Sequence, residues 1–144
     1  MSRLSQFLIA SASLALAASI SLEPAQAQTG AASRPATRDD LAKYSQMGAF
    51  SSCSMAIDQK VPLEKTIGPN INMVVVVLRE VHGSMISGVG DGKLSDTQLV
   101  NGVGIDTIAR VKALCYQNLS ASDKKFIDEN LANIEKQVRS LQSK

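Results

Sequence analysis

The sequence predicts a small all-α domain, built as a single bundle of about four helices and stapled by one disulfide. Apolar residues recur at helical spacing in four separate segments. Aromatic residues make up only 3% of the chain, which indicates an aliphatic core. The chain has 144 residues and two widely separated cysteines. This length suits one domain with a single core, and too little chain remains for a second.

The first 27 residues predict a cleaved signal peptide. Arg3 precedes an uncharged run over residues 7–22, and Ala25-Gln26-Ala27 has the small-x-small pattern of a signal-peptidase site. The run is diluted by Ser and Ala, whereas a membrane span needs roughly 20 strongly apolar residues. We therefore expect a periplasmic or secreted protein with no membrane span after cleavage.

Export decides the expected state of the two cysteines, Cys53 and Cys115. Disulfides are the usual state of paired cysteines in exported proteins, so we predict that these two are bonded to each other. A structural zinc site would need four nitrogen or sulfur ligands, and the chain contains a single histidine. A reactive thiolate would need an electropositive setting, whereas Cys115 follows Ala113 and Leu114. We expect no metal and no cofactor.

Residues 28–38 are small and polar and predict a flexible leader, so that residues 39–144 form the helical domain. The first helix is expected over about residues 39–57, because two acids, Asp39 and Asp40, suit a helix N-terminus. Its apolar residues are Leu41, Tyr44, Met47, Phe50 and Ile57. The small residues from Gly48 to Ser52 would allow a neighbouring helix to approach closely. Residues 58–70 contain Pro62, Gly68 and Pro69 and predict a loop.

The segment NINMVVVVLREVHG has two alternative interpretations. Four consecutive valines have strand propensity, but Pro69 before the segment and Gly83 after it are typical of helix boundaries. A lone strand would have no partner, so we predict a deeply buried helix over about residues 70–82. Its expected core stripe is Ile71, Val74, Val75, Leu78 and Val81, widened by Val76 and Val77. His82 would lie in its last turn and interact favourably with the helix C-terminus.

Two further helices complete the prediction. Ser95 and Gln98 fit a capping box that starts the third helix, whose apolar face includes Val103 and Val111. The fourth helix is expected over about residues 122–142, after Ser120 or Ser122 as a cap. It carries a 4-3-4-3 apolar stripe of Ile127, Leu131, Ile134, Val138 and Leu141. A packed surface helix is favoured over a coiled-coil partner because the repeat is short, although the stripe is also compatible with a homodimer.

The composition narrows the classes of function. Fifteen Lys and Arg against 13 Asp and Glu give a net charge of +2 without a basic run, so nucleic-acid binding is not expected. We predict that the protein is not an enzyme, because the chain has one histidine, no metal cluster and no nucleophile motif. A pH-sensing role for His82 is compatible with its chemistry. A non-catalytic binding module for an unknown ligand remains open.

The segments SSCSMAIDQKV and LVNGVGIDTIARVKALCYQNLSASDKKFIDE carry a resemblance. A cysteine near the end of an early helix, a helix ending in ALC and a charged final helix together resemble the small periplasmic acid-stress chaperones of the HdeA/HdeB type, over residues 46–142. The resemblance implies acid activation, because protonated carboxylates would leave the positive charges unopposed. Unfolded clients or an envelope partner would then contact apolar side chains of the second and fourth helices: Val74, Val75, Val76, Val77, Leu78, Ile127, Leu131, Ile134, Val138 and Leu141.

Overall fold

Four helices follow one another in the computed structural model, which describes residues 33–90 and 92–142. They are α1 (Arg38–Ile57), α2 (Leu63–His82), α3 (Asp96–Cys115) and α4 (Ala121–Gln142), with a short 3-10 turn at Tyr116–Asn118. Within the described residues there are isolated bridges but no strand. The predicted all-α class is therefore confirmed. The predicted signal peptide and the first part of the leader lie outside the described residues.

The first three helices pack against one another, and α4 packs on α3 and α2. Helix α2 runs back along α1, so that His82 at its end meets Tyr44 near the start of α1. Helix α3 runs in the same direction as α1, and the Cys53–Cys115 disulfide joins their C-terminal ends. The Cα atoms of the two cysteines are 6.1 Å apart. The predicted staple is confirmed, and it links two parallel helices.

Helix α1 begins with a capping box and buries its small residues. Thr37 Oγ accepts the Asp40 N–H at 3.1 Å, and the Asp40 carboxylate accepts the Thr37 N–H at 2.9 Å. The buried face consists of Ser45, Gly48, Ala49, Ser52, Cys53 and Ala56. Short side chains let helix backbones approach closely, so this face packs against α2 and α3. Met47 and Phe50, expected on the apolar face, are instead 64% and 69% exposed.

Helix α2 begins at Leu63, well before the predicted start at residue 70. Pro69 therefore lies inside the helix, although the sequence predicted a loop there. A proline has no N–H to donate, so the Lys65 carbonyl lacks its usual helical partner. Burial of Ile67 and Ile71 on either side keeps this part of the chain helical. The first amide of the helix, on Leu63, is held by Asp123 of α4 at 2.8 Å.

The valine run is helical, as predicted, but its buried stripe differs from the expected one. Ile71, Val74, Val75 and Leu78 are buried. Val81 is 55% exposed and Val76 is 45% exposed, so the prediction that these two join the core was wrong. His82 is buried in place of Val81 because both of its ring nitrogens have hydrogen-bond partners. Gly83 ends the helix in the left-handed conformation, with φ of 60°, as a C-terminal glycine does.

The segment before α1 is packed against the loop that connects α2 to α3. The Ala36 N–H donates to the Met85 carbonyl, and the Ser87 N–H donates to the Ala36 carbonyl, each at 2.8 Å. Ala36 is fully buried. The predicted leader extended to residue 38, whereas the structure places residues 33–37 in contact with the bundle. Packed structure therefore begins before Asp39.

Helices α3 and α4 start close to the predicted positions. Ser95 and Gln98 form the predicted capping box of α3. Ser120 caps α4, because its Oγ accepts the Asp123 N–H at 3.1 Å. Ile127 near the start of α4 is fully buried, whereas Val138 near its end is 45% exposed. The apolar stripe of α4 therefore joins the core at its N-terminal half and leaves it toward the C-terminus.

Candidate functional site

The residues expected to contact clients occupy three environments. Val74, Val75, Leu78 and Ile127 are buried in the core; Val77, Leu131 and Ile134 are partly buried; Val76 and Val138 are exposed. The side chain of Leu141 lies outside the described residues. The buried members hold the helices together, so they do not form a surface in the folded protein. A client would reach them only after the helices separate.

A different set of apolar residues is already exposed. Met47 and Phe50 of α1 and Leu114 of α3 are 64%, 69% and 48% exposed, respectively. Together with Lys43 and Gln46 they line an open cleft of about 560 Å³ between the two helices. We call these five residues the α1–α3 patch. A contiguous group of exposed apolar side chains is a candidate contact surface for another molecule.

The disulfide fixes the two sides of the α1–α3 patch. Phe50 precedes Cys53 by about one helical turn, and Leu114 is adjacent to Cys115. The bond between the cysteines has an S–S distance of 2.03 Å. Because the link is covalent, α1 and α3 remain next to each other at this point even if packing elsewhere loosens. Sequence reasoning missed the patch, because it assigned Met47 and Phe50 to the apolar face of the first helix, whereas small residues such as Ala49 are buried there instead.

A second apolar depression lies between α3 and α4, with a volume of about 420 Å³. We call it the α3–α4 groove. Its apolar lining is Ile71, Val100, Gly104, Ile105, Ile108, Ile134 and Val138, and its polar lining is Asn101, Asn130 and Gln137. No charged side chain is among these residues. The groove opens because α4 is anchored to the bundle mainly through buried residues near its start, such as Asp123 and Ile127.

His82 has the hydrogen-bond partners of a structural histidine. Its Nδ1 lies 3.0 Å from the Arg34 carbonyl oxygen, and its Nε2 lies 3.1 Å from the Tyr44 hydroxyl. A carbonyl can only accept, so Nδ1 donates to Arg34, and in the neutral ring Nε2 then accepts from Tyr44. The predicted position in the last turn of α2 is confirmed. Its hydrogen-bond partners were not predicted, because Tyr44 and Arg34 lie far from it in sequence.

A small charged cluster joins α4 to α3 beside the disulfide. Asp128 accepts hydrogen bonds from the Tyr116 hydroxyl and from Lys112 Nζ. Both bonds lower the pKa of the Asp128 carboxyl below its ordinary value, and the bond from Tyr116 has the larger effect. Lys112 and Lys124 also lie over the Tyr116 ring, at 5.1 Å and 5.6 Å from its centroid. The cluster ties α4 to the C-terminal end of α3.

Within residues 33–90 and 92–142, no three His, Cys, Asp or Glu side chains gather closely enough to hold a metal ion. None of the helices in that part of the chain combines the length and the hydropathy that a bilayer span requires. Of the two apolar surfaces, the α1–α3 patch has the more exposed side chains, since Met47 and Phe50 are 64% and 69% exposed whereas Val138 of the α3–α4 groove is 45% exposed.

Comparison with known proteins gives a family and no function. No curated protein and no solved structure matches the chain. One family model, described as a domain of unknown function (DUF8650), matches residues 39–139. This match begins in the first turn of α1 and ends in the last turn of α4, so it covers all four helices. The chain therefore belongs to the DUF8650 family.

Proposed function

We propose that this protein is an exported helical chaperone of the cell envelope, which binds other polypeptides through exposed apolar side chains. The observation that carries the proposal is the α1–α3 patch, where Met47, Phe50 and Leu114 are exposed together close to the Cys53–Cys115 disulfide. Unfolded polypeptides expose apolar side chains, and burying these against the patch is favourable by the hydrophobic effect. No chemistry is required of the protein.

Acid activation is the finer part of the proposal. Hydrogen bonds from Arg34, which has the larger effect, and from Thr37 lower the pKa of the Asp40 carboxyl. The same carboxylate completes the capping box of α1. Asp128, which joins α4 to α3, also has a lowered pKa. A carboxylate with a lowered pKa stabilises the fold above its ordinary pKa range, and this contribution is lost in acid. Both losses would loosen helix ends, while the disulfide keeps α1 and α3 together. Buried residues such as Ile127 would then join the client surface.

The test is suppression of client aggregation, followed by light scattering. An aggregating envelope protein is incubated at about pH 3 and at pH 7 with a several-fold excess of oxidised residues 28–144. We expect less scattering with the protein present, and a larger effect in acid. The variant Phe50→Ser should lose much of the protection at both pH values.

Val81→Ser is the matched control, because Val81 is 55% exposed on α2 and lies apart from the patch. This variant should protect the client as the unaltered protein does. Equal protection by all three proteins would exclude the α1–α3 patch as the client surface. Absence of protection at both pH values would exclude the chaperone function.

The α3–α4 groove supports a second candidate, a non-catalytic module that binds an apolar ligand. Its lining combines aliphatic side chains with three amides and no charge, which suits an uncharged apolar molecule. Titration with an environment-sensitive apolar dye tests this function. Ile105→Gln, which places an amide in the groove, should lower dye fluorescence, whereas Phe50→Ser should not. A dye signal that responds only to Phe50→Ser would assign the binding to the α1–α3 patch instead.

A further inference from the structure

The charge at one end of the α1–α3 patch is unopposed. Lys43, Met47 and Phe50 follow one another at helical spacing on α1, and Leu114 lies beside them on α3. Six ion pairs occur among the described residues, and Lys43 takes part in none of them. No acidic residue lines the cleft. The patch is therefore a short apolar surface with a positive charge at the end nearest the N-terminus of α1.

The two acids nearest to Lys43 in sequence do not form an ion pair with it. Asp40, three residues before Lys43, pairs with Arg34 at 2.8 Å. Asp39 precedes Lys43 by about one turn, but it lies in the first turn of α1, where a carboxylate interacts favourably with the helix N-terminus. Asp39 takes part in none of the ion pairs among the described residues. Lys43 is exposed, so its ammonium is free to meet a group on a partner.

The dimensions of the patch fit one face of a helix. The seven-residue separation of Lys43 and Phe50 corresponds to about 10 Å along α1, which is about two turns. A partner helix laid along the cleft would present apolar residues at i, i+3 and i+4 to Met47, Phe50 and Leu114. One more turn would bring its next side chain on the same face near Lys43. A carboxylate at that position would be attracted to Lys43, and a cation there would be repelled.

We propose that the partner of the α1–α3 patch is an acidic amphipathic helix, with its apolar stripe on Met47, Phe50 and Leu114 and a carboxylate facing Lys43. This inference rests on the proposed function, since it names the chemistry of the polypeptide that the same surface binds. Apolar contact supplies the attraction, and the single charge selects among partners and sets their direction along the cleft. Near neutral pH, where Asp and Glu side chains are ionised, aggregating clients with acidic amphipathic segments would be bound in preference to basic ones.

The test uses three synthetic helices of about 18 residues that share one leucine stripe and differ only in its flanking residues. These are Glu in the first peptide, Gln in the second and Lys in the third. Binding to oxidised residues 28–144 is measured by fluorescence anisotropy at pH 7 and low salt. We expect the Glu peptide to bind about 2–5-fold more tightly than the Gln peptide, the effect of one exposed ion pair, and the Lys peptide to bind most weakly. Added salt should narrow these differences.

Lys43→Glu is the decisive variant, because it should reverse the order of the Glu and Lys peptides without altering the apolar surface. Phe50→Ser should weaken all three peptides, and Val81→Ser should weaken none. Circular dichroism and a thiol assay confirm that each variant is helical and oxidised.

The outcomes separate this inference from the proposed function. If all three peptides bind equally and Phe50→Ser weakens them equally, the patch binds polypeptides but the acidic partner is excluded. An order that Lys43→Glu leaves unchanged also overturns the inference. If no peptide binds while the protein still suppresses client aggregation, the helical partner is excluded and chaperone activity stands. If no peptide binds and client aggregation is also unaffected, both proposals fail.

Discussion

Asp123 joins two helices through one buried carboxylate, and its removal is the sharpest test of the fold. Its Oδ1 accepts the Leu63 N–H at 2.8 Å, which is the first amide of α2. Its Oδ2 accepts the Ser120 hydroxyl at 2.6 Å, at the start of α4. Asp123 is 7% exposed and Leu63 is fully buried, so water cannot replace the carboxylate easily. One side chain therefore serves the N-termini of both α2 and α4.

The stability that Asp123→Ala is expected to lose has two parts, one from a hydrogen bond and one from a charge. In Asp123→Ala the buried Leu63 N–H loses its acceptor, and an unsatisfied buried group costs about 1–3 kcal/mol. Loss of a negative charge near two helix N-termini adds about 0.3–1 kcal/mol for each helix. We expect Asp123→Ala to lower the free energy of unfolding by about 3 kcal/mol in total. Asp123→Asn retains a carbonyl acceptor for Leu63, so its loss should be about 1 kcal/mol.

Urea unfolding of oxidised residues 28–144, followed by circular dichroism at 222 nm, measures these losses. Asp39→Ala is the control, because Asp39 also lies in the first turn of a helix but is exposed. We expect the order of loss Asp123→Ala, then Asp123→Asn, then Asp39→Ala. If Asp123→Ala destabilises the protein no more than Asp39→Ala does, Asp123 does not cap α2.

Three further predictions concern stability. Thr107 is buried and its hydroxyl has no hydrogen-bond partner, so Thr107→Val should raise the free energy of unfolding by about 1 kcal/mol in urea unfolding. The hydroxyl of Thr66 is equally buried but bonds to a carbonyl, so Thr66→Val should lower that free energy instead. The pKa of Asp40 is lowered in the folded protein, so its carboxylate contributes stability that is lost as the pH falls below about 4. Asp40→Asn should therefore make the urea midpoint fall less steeply with decreasing pH below about pH 4, and leave its pH dependence near pH 7 unchanged. A midpoint that falls as steeply in acid as that of the unaltered protein would contradict this. Replacing both Cys53 and Cys115 by Ala removes a link between residues 62 positions apart, which should lower the free energy of unfolding by up to about 4 kcal/mol while near-neutral circular dichroism stays helical.

Local signals in the sequence located much of the architecture. The capping box at Ser95, the helix-ending Gly83 and the regular stripe of α4 involve residues within a few positions of one another. Their physical causes are also local, since caps and periodic apolar faces depend on neighbouring backbone groups. The disulfide was predicted from the expected export of the protein and from the single pairing that two cysteines allow, and the structure contains it.

The start of α2 was missed because its cause is distant in sequence. Pro69 normally interrupts a helix, and the local sequence around it predicted a loop. Asp123 of α4 accepts the N–H of Leu63, which begins α2 before the proline. Packing buries Ile67 and Ile71 on either side of the proline. Sequence patterns of a few residues carry no information on such contacts. The same reason hid the partners of His82, one of which is the carbonyl of Arg34.

The sequence by itself determined that this chain forms an all-α domain with one disulfide. Helix periodicity and caps are properties of short segments, and two cysteines allow only one pairing. Only the tertiary structure decided which face of α1 is buried. Hydrophobicity alone favoured Met47 and Phe50 as core residues, yet the small residues opposite them are packed and these two are exposed. The disulfide and the close approach of α2 and α3 leave room for short side chains only, so the larger ones remain outside. The candidate binding surface is a consequence of that packing.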